Sequence, residues 1–197
     1  MAPHLAPFNP PLGPQPNNAH LYSPNTTTLQ MKEKVFSLTG DDFTVKTADG
    51  IEVCKCKGKV VSARDKKKFT DVNGQEIFTL SNKMLSIHKS FHAEAPNGHD
   101  FDVKAHFKLI GSRSTVEFKN AADNIAVELE IKGDWIDRSA AITYGGRPVA
   151  HISRSYFNVR EMFGDKQTYF VTVAPFVDLS MVAGICVALD ERENEEK

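Results

Sequence analysis

The residues best suited to chemistry in this chain are seven cations within the stretch "KCKGKVVSARDKKK", from Lys55 to Lys68. Lys55, Lys57 and Lys59 alternate, and on a strand residues two apart share a face. Arg64, Lys66, Lys67 and Lys68 crowd the turn that follows, and Asp65 is the one acid among them. Charge of one sign concentrated on a sheet and its loop attracts phosphate groups. Each lysine or arginine at an anionic membrane contributes about 1 kcal/mol. Four of the seven facing one way reach about 4 kcal/mol, which is millimolar affinity. A headgroup held in a pocket would bind more tightly. The competing reading is a lysine-rich strand edge that discourages aggregation, and the two readings stand side by side at this point. The cluster surrounds turns rather than a core, so its residues are expected to be exposed and replaceable without unfolding.

A second constellation is Cys54-x-Cys56 with His88-x-x-x-His92. Two thiols on one strand face and two imidazoles form a soft donor set of the kind that holds zinc. Cys-x-Cys is a weaker signal than Cys-x-x-Cys, His92 lies past the end of its apolar run, and nothing in the sequence forces the pairs together. Reduced core cysteines with solvent-facing histidines are the expectation, and no metal or other cofactor is assigned. Asp100 with Asp102, and Glu128 with Glu130, could share strand faces as acid–base pairs, but such charges usually mark a solvated side. The chain contains no Gly-x-Ser-x-Gly, P-loop or Gly-x-Gly-x-x-Gly motif. A non-enzymatic protein is the expectation.

The elements that position these residues follow from composition and pattern. At 197 residues with 41% apolar content, the chain makes one domain, or one domain and a tail. Lysine plus arginine (24) nearly balances aspartate plus glutamate (25), so overall charge does not call for nucleic acid. Three cysteines are too few for a disulfide framework and suggest a reduced, intracellular setting. The N-terminus has no basic segment followed by an apolar one, and no secretory signal is expected.

Seven of the ten prolines lie between Pro3 and Pro24. Proline has no N–H and a fixed φ, and the stretch is poor in apolar residues, so residues 1–30 are read as an extended, flexible arm, solvated or partly packed on the domain, whose removal costs little stability; a proline-rich ligand for aromatic-lined grooves is the alternative. Residues 31–191 are read as the domain and 192–197 as a charged tail. From Glu33 onward the pattern has period two. "VFSL", "FTVKT", "IEVCKCKG", "KFTDV", "EIFTLSN", "MLSIHKS", "FDVKAHFK", "STVEFKN", "IAVELEIKG", "SAAITYG", "PVAHISR" and "TYFVTVA" are rich in β-branched and aromatic residues. Turn signals at Asp49-Gly50, Asn73-Gly74, Pro96-Asn97-Gly98 and Gly145-Gly146 separate several of them. This is a meander of about twelve strands.

The C-terminus breaks the pattern. Between Leu179 and Leu189 only Ser180 and Gly184 are not apolar. Asp178 is a good N-cap, and a helix is expected over about 178–190. A helix apolar on every side must be buried on every side. At about 16–20 Å it falls well short of the roughly 30 Å needed to span a bilayer. About 10–12 tilted strands, packed about 10 Å from a central helix, close around it. The expected fold is therefore mainly β: a closed antiparallel barrel of about twelve strands around its own C-terminal hydrophobic helix. Burying Leu179, Met181, Val182, Ile185, Val187 and Leu189 contributes on the order of 10 kcal/mol.

Taken together, "FTVKTADGIEV", "FTDVNGQEIFTLSNKMLSIHKS", "IKGDWIDRSAAITYGGRPVAHISR" and "TYFVTVAPFVDLSMVAGICVALDE" resemble the LURP-one-related family, a branch of the tubby C-terminal-like superfamily that includes the phospholipid scramblases. The resemblance covers about residues 33–191. It implies a twelve-stranded barrel around a hydrophobic helix. Family members often carry tryptophan where this chain has Phe91-His92, and its sole tryptophan is Trp135. Tubby domains bind phosphoinositides, but no tubby headgroup motif matches here residue by residue. Three readings follow. The first is a monomeric, cytoplasmic module, peripheral at membranes, that binds anionic phospholipid or a protein partner. The second is a scramblase-like protein whose C-terminal helix enters the bilayer. The third is an enzyme or small-ligand barrel.

Overall fold

Period-two alternation and Gly-containing turns produce twelve strands in the computed structural model, which describes residues 5–32, 43–59, 66–83, 90–106, 113–134, 139–153 and 168–195. They are β1 (Thr27–Lys32), β2 (Phe43–Thr47), β3 (Glu52–Lys59), β4 (Lys66–Thr70), β5 (Glu76–Asn82), β6 (Ser90–Glu94), β7 (Phe101–His106), β8 (Arg113–Lys119), β9 (Ala126–Asp134), β10 (Ser139–Tyr144), β11 (Arg147–Ser153) and β12 (Thr168–Val173). Each pairs antiparallel with its sequence neighbour, and β1 pairs β12 from Thr27↔Val173 to Lys32↔Thr168, closing the barrel. The expected strand count holds, with two differences in membership. The first strand is "TTLQMK", and the run "VFSL" lies outside the described residues. The sixth is "SFHAE", most of "MLSIHKS" lying outside them, so His92 sits within a strand rather than past its end.

One helix, α1 (Leu179–Glu195), follows β12. Every residue from Leu179 to Asp190 is buried. It starts as its sequence dictates. Asp178 Oδ1 accepts the backbone N–H groups of Ser180 (2.9 Å) and Met181 (3.1 Å) and the Ser180 hydroxyl (2.6 Å), which satisfies donors that a helix leaves open. Burial nevertheless pushes the Asp178 carboxyl above its ordinary range, although these hydrogen bonds oppose it. The helix does not stop near residue 190, as the charged residues suggested. Glu and Arg are good helix formers, and the first three polar residues all have partners on the barrel.

Those partners form a collar. Tyr169 Oη on β12 donates to Asp190 Oδ2 at 2.8 Å. Lys67 Nζ on β4 pairs with Glu191 at 3.1 Å, the two side chains being only 10% and 12% exposed. Arg192 donates to Ser114 Oγ on β8 at 2.8 Å. In the barrel order β12, β8 and β4 are each four strands apart, a third of the circumference. A helix turns about 100° per residue, so three successive residues reach three evenly spaced anchors. The collar fixes both the rotation and the height of the helix.

Along its length the helix packs on inward side chains of the strands, among them Val45, Cys54, Cys56, Phe69, Phe78, Leu80, Phe101, Val116, Leu129 and Ile142, all buried. Phe69 stacks on Phe78 with centroids 4.5 Å apart, and Phe78 meets Phe101 edge-on at 5.1 Å. These rings approach the helix where Gly184 leaves room: a Cβ there would lie 3.0 Å from Phe78 and from Phe101.

The proline-rich segment differs most from expectation. The sequence suggests an arm that is solvated or only partly packed, yet Leu5, Phe8, Leu12, Leu21 and Tyr22 are buried in the core. Residues 5–22 form a strap across the end of the barrel where α1 begins. Phe8 and Leu12 donate to the carbonyls of Pro175 (3.1 Å) and Phe176 (2.9 Å), and Leu12 accepts from Asp178 N (3.0 Å). Gly13 donates to Asn120 Oδ1 at 2.9 Å and accepts from Ala121 N at 3.0 Å. It lies so close to the helix cap that a Cβ would fall 2.3 Å from Asp178 Cβ. Arg147 holds the outer part, its guanidinium 3.9 Å from the Phe8 ring centroid and donating to the carbonyls of Ala6 and Pro7. The prolines do prevent a regular strand, but a strap needs only widely spaced anchors, and the turn before α1 offers its backbone as partner. The expected boundary at residue 31 moves as well, since β1 begins at Thr27.

Two outcomes follow. Deleting residues 1–22 should remove on the order of 5 kcal/mol of apolar burial and lower the melting temperature by at least about 10 °C. A fall under about 3 °C, measured by scanning calorimetry, would show that the strap is peripheral to the fold. Replacing Lys67 or Glu191 singly by methionine or glutamine should cost on the order of 3 kcal/mol, because each change leaves a nearly buried charge unpaired. The double variant should cost at least about 1 kcal/mol less than the sum of the single ones in urea unfolding. Strict additivity would mean that the pair does not anchor the helix.

Candidate anion-binding face

The sequence cluster at β3 and β4 is divided by the pleat. On β3, Cys54 and Cys56 point inward and are buried, which turns Lys55 and Lys57 outward. On β4, Lys67 and Phe69 are buried and point inward, so Lys66 and Lys68 lie on the outer face. Cross-strand register sets Lys57 opposite Lys68 and Lys59 opposite Lys66. Like charges directly opposite one another destabilise a sheet pair, so nothing in strand pairing itself favours this arrangement.

Glutamates stand beside two of these lysines. Lys68 pairs with Glu76 of β5. Glu52 lies 3.9 Å from Lys55 and 3.7 Å from Lys46, a further cation on β2. Lys66 has no ion-pair partner among the described residues. Beside Lys66 and Lys68 runs a shallow groove of about 440 Å³, lined also by Glu76, Thr79, Glu94 and Pro96. Arg64 lies outside the described residues.

Lys67 corrects the expectation that the whole cluster is exposed and replaceable. Its side chain enters the barrel and neutralises Glu191 of α1. A three-lysine run on a strand must send its middle member to the other face. The edge reading also fails: β3 lies between β2 and β4, and β4 between β3 and β5, in a closed barrel that has no edge.

Among the described residues, the cysteines and His92 do not come together. Cys54 and Cys56 do share one face, as their spacing requires, but that face is the core. Burial first, then the neighbouring Cys56 and Asp178, push the Cys54 thiol well up, against the thiolate that metal binding uses. His92 is on the outer face of β6, and His88 lies outside the described residues.

His92 instead joins a cluster that sequence spacing alone did not reveal. Its Nδ1 lies 2.9 Å from Asp102 Oδ1, its Nε2 is 3.7 Å from Asp100, and Lys83 reaches Asp102 at 2.6 Å. Burial alone would raise the Asp102 carboxyl, but hydrogen bonds from Lys83 and His92 prevail and hold it below its ordinary range. Its contribution to stability is therefore present above the ordinary carboxylate pKa and lost as pH falls through the lowered one. The signal was available: reflection about Asn97, the centre of the Pro96-Asn97-Gly98 turn, sets residue 92 opposite residue 102, and the register does so. Ser81 stands opposite His92 on β5. A serine–histidine–aspartate row suits nucleophilic catalysis only when the imidazole Nε2 meets the hydroxyl. Here it faces Asp100, and no hydrogen bond joins Ser81 to His92 among the described residues. The other acid pair also makes surface contacts, Glu130 pairing with Lys132.

A family model described as LURP-one-related matches residues 27–190. Among curated proteins, Protein LURP-one-related 15 of Arabidopsis thaliana is 27% identical over 183 residues, which span 89% of this chain and 84% of that relative. Protein LURP1 of the same plant is 26% identical over 179 residues, 87% of this chain and 86% of its own. An X-ray structure of an Arabidopsis thaliana protein shares the fold, with a TM-score of 0.56 at 17% identity over 90% of this chain and 96% of that one.

Proposed function

This chain belongs to the LURP-one-related family, and from that premise we propose that it is a non-enzymatic binding module whose β3–β4 face takes the phosphate-bearing headgroups of an anionic membrane. One observation carries the reading: lysines stand opposite lysines across two neighbouring strands of the closed barrel. Opposed like charges cost stability; Glu76 offsets part of that cost at Lys68, and an anion offsets more of it on binding. The resemblance to tubby domains, which bind phosphoinositides, points to the same ligand chemistry. The filled lumen supports a role for the outer wall, because α1 occupies the space in which a small-ligand barrel would hold its substrate.

The scramblase-like alternative draws less support. No helix among the described residues is long and apolar enough to cross a membrane. To enter a bilayer, α1 would have to leave the barrel, break the collar and expose the inward faces of the strands.

Attraction of this kind is electrostatic, with a Debye length of about 8 Å at physiological salt. Liposome pelleting tests it. The wild-type chain should sediment with phosphoinositide-containing vesicles at low salt and be released as salt rises. Changing Lys57, Lys66 and Lys68 together to glutamate, with Lys67 left in place, should abolish sedimentation while the melting temperature stays within about 5 °C. If the wild type remains in the supernatant even at low salt, the headgroup reading is wrong and a protein partner takes its place.

A further inference from the structure

We infer that the β3–β4 face reads the charge density of a flat anionic bilayer and not the stereochemistry of any one headgroup. The inference rests on the headgroup reading above and adds its specificity. It comes from where the lysines stand and from what surrounds them.

The outer face of a barrel wall is convex. Outward residues on one strand are about 6.6 Å apart, and residues opposite one another across the ladder have Cβ atoms about 5 Å apart. Lys57 and Lys68 occupy one such opposed pair. Lys66 lies one step along β4, and Lys55 one step along β3 in the other direction. This is a lattice of points on a curved wall. Specific headgroup sites are concave, with a few donors converging on the ligand.

The neighbouring concavity carries the wrong charge for a compact polyphosphate. Its two lining cations, Lys66 and Lys68, are matched by two carboxylates, Glu76 and Glu94, and Glu76 already engages Lys68. A headgroup bearing several phosphates would meet like charge on entering that groove. A bilayer surface, by contrast, does not enter the groove; it meets Glu76 at the tip of Lys68 but also the other lysine tips of the wall.

Backbone donors are also committed. Lys55 and Cys56 on β3 and Lys67 to Thr70 on β4 have a strand on both sides, so their N–H groups face neighbouring strands and do not form the anion-binding nest that a loop or helix terminus supplies. Every cation on the described parts of these two strands is lysine. Lysine is a point charge on a flexible four-carbon stem, whereas arginine has the planar fork that recognises phosphate bidentately. Flexible point charges on a convex wall respond to surface potential and leave the position of a phosphate on its ring unread.

The experiment uses the full chain and three sets of vesicles of matched diameter: phosphatidylserine, a phosphatidylinositol monophosphate and a phosphatidylinositol bisphosphate, each diluted in phosphatidylcholine until the zeta potentials are equal. Partition coefficients should then agree within about twofold across the three sets, rising together as the potential is made more negative. Soluble inositol trisphosphate, added at the concentration of accessible headgroups, should displace little of the bound protein. A preference of more than about tenfold for one headgroup at equal potential, or displacement by the soluble headgroup, would overturn the charge-density reading and leave membrane binding intact. Failure to bind any of the three sets would overturn membrane binding itself.

Discussion

A helix that is apolar on every side can exist in water only inside a container that closes around it completely. That constraint organises this molecule. Leu179 to Leu189 leave no face for solvent, and twelve short strands supply a wall of suitable girth and height. Closing the wall leaves two open ends. At one, the strap of residues 5–22 covers the helix cap and ties it to neighbouring turns. At the other, Asp190, Glu191 and Arg192 meet Tyr169, Lys67 and Ser114. Polar groups at the ends and apolar groups between them give the helix one depth and one rotation, while hydrophobic packing alone would tolerate several.

A lumen filled by its own chain leaves the outer wall as the surface open to solvent. β4 shows how closely the two requirements lie. Lys66 and Lys68 belong to the surface and Lys67 to the core, although they are consecutive in sequence and alike in chemistry. Closure of the barrel sharpens the functional reading of that surface as well. A lysine-rich edge strand would need no ligand to explain it, but neither β3 nor β4 is an edge. The cations remain on a convex wall, with Glu52 and Glu76 beside Lys55 and Lys68, and it is there that we propose an anionic bilayer docks.

Much of this was legible in the sequence because its signals are local. Alternation within "EVCKCKGK" puts its cysteines and lysines on opposite faces whatever lies beside the strand, and the unbroken apolar run after Asp178 leaves one way to bury it. What was not legible depends on partners distant in the chain. The strap looks solvated because prolines dominate its composition, yet Phe8 and Leu12 dock on the turn at Pro175–Asp178, more than 150 residues away. Lys67 reads as one more exposed lysine until Glu191 is known to stand inside the barrel opposite it. Asp190 reads as a helix stop until Tyr169 is found to partner it. His92 and Asp102 lie between these cases: their pairing follows from the centre of the turn between them, provided that His92 is recognised as part of a strand.

The central claim is that α1 is the core of the barrel and is held at both ends, so that it has no independent way out. Native-state hydrogen exchange tests this most directly. The amides from Met181 to Leu189 should exchange only through global unfolding, with opening free energies equal to those of the most protected strand amides and the same dependence on denaturant. Exchange of the helix amides at clearly lower free energy, with little denaturant dependence and with the strands still protected, would contradict the claim by showing that the helix can leave a barrel that stays folded.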